Sequence, residues 1–291
     1  MRIVLIIVTY NRRKSLEGTL RAVMEQTRRP DDIVVVDNGS TDETLSLLAE
    51  DFPNVDVLRA GDNPGYGTAL TLGMRAYPEP SVDAYWLMDD DSRPVPDCLA
   101  QLERAATEVP SASVVASRGG TLKWGLIRHL KEPAEIRRRP RMGSQLYAVD
   151  FMMIDGALVR RPVVDAVGYP RSDLFLMFED VEYGYRIHRA GLRIGVLGRD
   201  LMVRDSLGKH GEGSTRTPLW RRYYKTRNHV RVALESGSAV FIAGCLVRQV
   251  RYFAQAAFAR DRRGTRLRMI ASGIRDGVWG RMGRTVEPGE V

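Results

Sequence analysis

The chain has 291 residues, of which 44% are hydrophobic and 27% charged, and carries a net charge of +8. This is the composition of an ordinary soluble protein that can bury a real core, and no apolar stretch reaches the roughly 20 residues of a membrane span. The two cysteines, Cys98 and Cys245, match no metal or redox spacing and suit a reducing compartment as buried thiols.

The opening "RIVLIIVT" (2–9) is almost continuously apolar. It is too short for a signal-peptide core and lacks a small-residue cleavage site, so it reads as a strand buried on both faces. A helix at about 14–26 places Leu16, Leu20, Val23 and Met24 on one face. A second buried strand (33–36) leads into "DNGSTD", with Thr41 as candidate N-cap and Thr44 where a capping box prefers Glu. A strand near 55–58, a helix near 66–76 and a strand at 84–88 follow. This β-α-β-α-β-α-β order predicts an α/β fold with a mostly parallel, doubly wound sheet. Ligands in such sheets sit beyond the strand C-termini, where "TYN", "DNGS" and "DDD" all fall.

Residues 118–143, with "RRRPR" at 137–141, read as a mobile surface loop. A strand at 146–154 and a turn at Gly156 come next. Residues 174–190 form a helix, or a strand leading into one, with Gly191 at its C′ position. Strands are expected near 193–197 and 200–204, and helices at roughly 218–235, 239–259 and 264–277. From Ser214 onward the chain holds 16 Lys+Arg against 5 Asp+Glu, so the basic character belongs to this last quarter. "WRRYYKTRNHVR" and "RQVRYFAQAAFARDRR" mix arginine with aromatics as a membrane-interface helix does. Ordinary packing helices with a solvated basic face are the plainer alternative.

Four stretches carry candidate chemistry. Asp89, Asp90 and Asp91 end a buried strand, where their mutual repulsion calls for a cation. Mg²⁺ or Mn²⁺ takes such carboxylates together with substrate phosphates. Asp89 and Asp91, two apart, would share one side, with Asp90 turned otherwise. Asp37, ending the second strand, can accept from a nucleobase or ribose. In "DNPGYGTALTLGM" (62–74), Gly65 and Gly67 permit close backbone approach, and the helix N-terminus suits a phosphate or sugar oxygen. In "FEDVEYGYRIHRAG" (178–191), Glu179 and Asp180 stand beside aromatics that can raise a carboxylate's pKa and make it a base. Glu182 and Arg186 form an i,i+4 surface pair.

"VTYNR", "VVVDNGSTD", "DDD" and "FEDVEYGYRIHRAG", in that order over about residues 1–210, resemble the inverting family 2 glycosyltransferases with the GT-A fold. "MDDD" and "EDVEYGYR" look most like the galactofuranosyltransferases of actinobacterial cell-wall assembly, with bacterial rhamnosyltransferases close behind. The resemblance implies a GT-A catalytic domain at 1–213, with a nucleotide-sugar half at about 1–117 and an acceptor half at about 144–213. A basic helical region at 214–291 would complete the chain.

It further implies that Asp37, Thr9, Tyr10, Asn11, Asn63, Gly65, Asp89 and Asp90 bind or border a UDP- or dTDP-linked sugar. Asp89 and Asp91 would hold Mn²⁺ or Mg²⁺, Asp180 would be the base, and Glu179 would support it. The galactofuranosyltransferases complete their metal site with a histidine past the base. Arg204 and Asp205 fall there in this chain and His210 follows, so Asp205 and His210 are the candidate third ligands. The implied acceptor is a glycan or polyprenyl-linked glycan at the inner face of the plasma membrane, with Arg216, Arg221 and Arg222 as candidates for its diphosphate. A sugar nucleotidyltransferase would open with a Gly-rich phosphate loop in place of "TYNRRKS". A nucleic-acid-binding reading of the basic tail finds no recognised motif.

Overall fold

The computed structural model describes residues 1–77, 81–143, 145–204 and 218–289. The chain runs β1 (Ile3–Thr9), α1 (Arg13–Met24), β2 (Asp32–Asp37), α2 (Thr44–Asp51), β3 (Asp56–Arg59), α3 (Tyr66–Ala76) and β4 (Ala84–Asp89). Next come β5 (Ser92–Pro94), α4 (Cys98–Glu108), β6 (Ala112–Ala116), β7 (Gly119–Lys123), β8 (Leu126–Leu130), α5 (Pro133–Ile136), β9 (Leu146–Val149) and β10 (Phe151–Met152). The remaining elements are β11 (Ala157–Arg160), α6 (Arg161–Val167), α7 (Glu179–Arg189), β12 (Arg193–Leu197), β13 (Met202–Arg204), α8 (Leu219–Glu235), α9 (Ala239–Ala257) and α10 (Arg263–Trp279).

The main sheet has eight strands in the order β3-β2-β1-β4-β11-β6-β12-β9. Strands β1 to β4 are mutually parallel where they pair, and β11 enters antiparallel between β4 and β6. Every residue of β1 is buried, and alternate side chains feed opposite layers. Ile3, Leu5 and Ile7 pack with Leu16 and Leu20 of α1, Leu47 of α2 and Leu102 of α4. Val4, Ile6 and Val8 pack with Leu70 and Met74 of α3, Val163 of α6 and Tyr183 of α7. The register sets Thr9 beside Asp37 and Val8 beside Asp89, so all three strand ends open on one crevice.

The expected loop at 118–143 is instead an antiparallel hairpin, β7 and β8, which joins β10 in a three-stranded sheet. Its tight turn places Trp124 and Gly125 at positive φ, 54° and 71°, and the arginine-rich composition concealed it. The expected strand at 146–154 is split, with β9 in the main sheet and β10 in the small one. Helix α2 starts at Thr44 rather than at a Thr41 cap, because the Asp42 side chain accepts the Thr44 N–H at 3.1 Å. Glu182 and Arg186 pair as expected, but the pair is internal: Glu182 is buried and Arg186 also donates to the Tyr169 carbonyl.

The three C-terminal helices match their expected spans. Helix α8, however, is largely core rather than a lipid-facing surface. Trp220, Tyr223 and Tyr224 pack with Phe175 in one cluster, while Arg227, Asn228 and His229 are buried with them. Among the described residues no helix is long and apolar enough to cross a membrane.

Candidate active site

The three aspartates at the end of β4 take different hydrogen-bond partners. Asp89 accepts from the Tyr66 hydroxyl at 2.8 Å and from the Arg204 guanidinium at 2.9 Å. Asp90 turns inward, taking the Thr9 hydroxyl at 2.8 Å, while its carbonyl takes that of Thr19 at 2.9 Å. Asp91 accepts from Arg12 at 2.9 Å through one oxygen, and its buried Oδ1 has no partner among the described residues. Burial pushes Asp90 up to about 7 against the pull of Arg12. Burial and then the charge of Asp155 raise Asp89 well above the usual carboxylate range.

Asp155 organises this corner. One carboxylate oxygen accepts the Asp89 N–H at 3.1 Å, and the other accepts the Ser92 hydroxyl at 2.7 Å and Arg204 at 2.8 Å. Arg204 arrives here because β13 pairs antiparallel with β5, opposite Ser92. The position that the resemblance compares with a metal-binding histidine therefore carries a guanidinium in the acid cluster. Asp205 and His210 lie outside the described residues, as does Arg216.

The nucleotide-side candidates build the crevice wall from interlocked loops. Asp37 is fully buried and accepts the Ser40 N–H at 3.0 Å. Asn11, at φ 51°, donates its N–H to the Ser40 hydroxyl and accepts the Thr41 N–H at 2.7 Å. Asn63, at φ 44°, accepts from the Asn38 amide at 2.8 Å. Tyr10 is exposed at the rim. Gly65, at φ 106°, does permit a close approach, but the approaching backbone is the protein's own. A Cβ there would lie 2.5 Å from the Phe175 carbonyl oxygen, which already accepts the Tyr66 N–H at 2.7 Å. Gly67 meets the Arg171 carbonyl in the same way.

The segment that crosses over Gly65 leads into the acidic start of α7. Phe175, Met177 and Phe178 all have positive φ, at 62°, 70° and 81°. Non-glycine residues hold such backbone only where their surroundings over-determine it. Helix α8 supplies that restraint. The Asn228 amide donates to the carbonyls of Leu174, Leu176 and Met177, and Arg227 donates to Leu174 as well.

The result aims two carboxyls from the first turn of α7. Asp180 Oδ1 accepts the Ile154 N–H at 2.6 Å, and burial raises its pKa to about 6. Burial and then the charge of Asp180 lift Glu179 to about 8, and its buried Oε2 has no partner among the described residues. Arg221 of α8 enters from the far side, its Nε also buried and without a partner among the described residues. Burial and then the nearby Arg12 lower its pKa, against Asp91, Glu179 and Asp89. The crevice thus gathers Asp89, Asp91, Asp155, Glu179 and Asp180 with Arg12, Arg204 and Arg221.

Among the described residues no group of three or more His, Cys, Asp or Glu is arranged to hold a metal ion. Asp89 and Asp91 nevertheless fit a hard divalent cation as a partial set, through carboxylate oxygens and the unpartnered Asp91 Oδ1. Sequence reasoning missed Tyr66, Asp155, Arg12 and Asn228. Asp155 had a signal, an acidic residue before the turn glycine Gly156 at the end of an apolar run. Asn228 had none, since a polar residue in a basic helix reads as surface.

A mostly parallel α/β sheet flanked by helices, with carboxylates gathered where its central strands end, is the architecture of the GT-A fold. The glycosyl transferase family 2 model matches residues 4–168, more than half of the chain, and the chain belongs to that family. Galactofuranosyltransferase GlfT1 of Mycolicibacterium smegmatis is 29% identical over 201 residues, covering 65% of this chain and 66% of the relative. The match thus spans just under two thirds of that relative's own length. N-acetylglucosaminyl-diphospho-decaprenol L-rhamnosyltransferase of Mycobacterium tuberculosis is 30% identical over 213 residues, 63% of this chain and 69% of that one. The mannosyltransferase PcManGT from Pyrobaculum calidifontis, solved with GDP-Man and Mn²⁺, shares the fold with a TM-score of 0.60 at 17% identity. That likeness covers 96% of this chain and 88% of the other.

Proposed function

We propose that this chain transfers a hexosyl group, galactofuranosyl or rhamnosyl, from a UDP- or dTDP-linked donor to a glycan or lipid-linked glycan during cell-envelope synthesis. The anomeric centre is inverted, and the protein works at the inner face of the plasma membrane. The observation that carries this reading is the pairing of Asp180, a half-buried carboxylate with a pKa of about 6, with the Asp89 and Asp91 corner across one crevice.

Asp180 is ionised at neutral pH and more basic than an exposed aspartate, as a general base requires. Ile154 fixes one of its oxygens and leaves Oδ2 to take the acceptor's proton. The acceptor oxygen then bonds to the anomeric carbon as the bond to the diphosphate oxygen breaks on the opposite face, and the proton ends on Asp180. Glu179, protonated up to about pH 8, donates a hydrogen bond to the acceptor without repelling the base. Arg12 and Arg221 bring positive charge to the departing diphosphate. Asp89 and Asp91 would hold Mn²⁺ or Mg²⁺, which when bound supplies further neutralisation of that leaving group. Tyr66 and Asp155 keep the Asp89 carboxylate and backbone in place.

The test is a panel of UDP- and dTDP-sugars with and without Mn²⁺, read by thermal stabilisation and by release of the nucleoside diphosphate. One donor should stabilise the protein with the metal and lose that effect in Asp91→Ala. Indifference to every nucleotide sugar would sink the reading.

A further inference from the structure

Helix α9 has two unlike sides. One is fixed to the body: Phe241, Cys245 and Gln249 are buried, and Arg248 donates to the Ile127 carbonyl at 2.6 Å. Gly244 lies so close to the hairpin turn that a Cβ would stand 2.1 Å from the Gly125 carbonyl oxygen. The other side presents Leu246, Val247, Val250, Phe253 and Phe258 to solvent, with Val250 68% and Phe258 87% exposed. These positions recur at helical spacing, so they form one apolar stripe rather than scattered residues.

The stripe has a basic border. Helix α9 contains no acidic residue; Arg260 and Arg262 are exposed in the turn after Phe258, on either side of Asp261, which pairs with Arg266, and the exposed Arg263 opens α10. Alongside it, Arg251 lines a groove of about 610 Å³ together with Lys123, Arg128, Arg138 and Arg139 of the hairpin region. Glu135 is the one acid among the groove's lining residues and is paired with Arg128. Trp124, 75% exposed, and Leu126 stand at the lip of this groove.

We infer that α9 and the β7–β8 turn form a docking surface for an anionic lipid leaflet, with the apolar stripe in the acyl boundary and the arginines on lipid phosphate. An interfacial helix needs this combination of an apolar face and flanking cations. A second copy fits less well, because a two-fold contact would set these arginines against themselves. A nucleic acid would leave the stripe bare. The inference takes its purpose from the lipid-linked acceptor reading, but docking does not require turnover, so the two can fail separately.

The full chain is sedimented with vesicles of phosphatidylcholine alone and with phosphatidylglycerol added. It should bind the anionic vesicles and weaken as salt rises. Val250→Glu and Phe258→Glu should each weaken binding about tenfold or more, and Arg138→Glu or Arg251→Glu about fivefold or more. Melting temperature and donor-induced stabilisation should stay unchanged in all four. Failure to bind, binding indifferent to anionic lipid, or binding that survives these substitutions would overturn the inference. A dimer in sedimentation equilibrium that Val250→Glu dissolves, with vesicles ignored, would assign the stripe to a second copy instead.

Discussion

The side-chain amide of Asn228 donates to the main-chain carbonyl of Met177 at 2.7 Å, two residues before Glu179. Two further carbonyls of the same segment accept from that amide. Asn228→Leu keeps the volume and removes the amide donor from the Leu176 and Met177 carbonyls, while Arg227 still serves Leu174, at a cost of about 1–3 kcal/mol. The larger expected effect is on chemistry, because the segment aims Asp180. A misplacement of order 1 Å lowers kcat about 100-fold. Donor KM should stay within about twofold, since β1, β2 and β4 are untouched. Steady-state kinetics on both substrates check this, and a proportional rise in donor KM would count against the positioning role.

The pH dependence of kcat/KM should show an acidic limb near the Asp180 pKa of about 6. A base must be ionised, so activity rises with pH through that value and is lost below it. Asp180→Asn should lower kcat by a factor of about 100 to 10,000 and abolish the limb. A pH–rate series on both proteins decides it. A limb near 4 would mean that the acting base is solvated rather than buried.

Stability should run the opposite way with pH at Glu179. Its folded pKa of about 8 lies above that of an unfolded glutamate. Below about pH 4 the group is protonated in both states and carries no penalty. As pH rises toward 8 the unfolded chain ionises first, and this contribution to stability is lost. Glu179→Gln does not titrate, so it should raise the melting temperature at pH 8 by about 2 °C or more and leave it unchanged at pH 4. Thermal melts at the two pH values test the sign.

Gly65→Ala forces a Cβ to within 2.5 Å of the Phe175 carbonyl oxygen at a φ of 106°. Neither the turn nor the covering segment can yield without disturbing the other, so the cost should be about 2 kcal/mol or more. Gly61→Ala makes a useful control, since it shares a positive φ, 94°, but meets nothing within 4 Å. If the two variants melt together, the contact with Phe175 contributes little.

The strands and helices with strong periodicity were legible in the sequence. "RIVLIIVT", "DDIVVVD" and "AYWLMD" each run apolar into an acid, and that pattern located the crevice before any coordinates. The three C-terminal helices were readable for the same reason. What escaped depended on tertiary partners. The β7–β8 hairpin hides among arginines, because its strands are short and one face is wet. Tyr66 and Asp155 both bond to Asp89, and Asp155 lies far from Asp89 in sequence. The placement of Arg204 follows from β13 pairing with β5, a two-stranded contact that no local pattern announces. Helix α8 misled in the other direction: its arginines and tyrosines suggested a wet or lipid-facing surface, and burial of Arg227 and Asn228 is explained only by the carbonyls they serve.

The tail beyond α10 binds the reactive segment to the rest. Gly283 donates its N–H to the Asp173 carbonyl and accepts from Arg227, while Arg284 reaches the Asp62 carbonyl in the loop before α3. The last quarter of the chain is therefore in mechanical contact with both the turn that starts α3 and the acids that start α7. A shift of the terminal helices is therefore felt in both places at once, because Arg227 holds the Leu174 carbonyl and Gly283 together while Arg284 holds the loop before α3. Stiffness at the crevice is thus shared between segments more than two hundred residues apart in the chain.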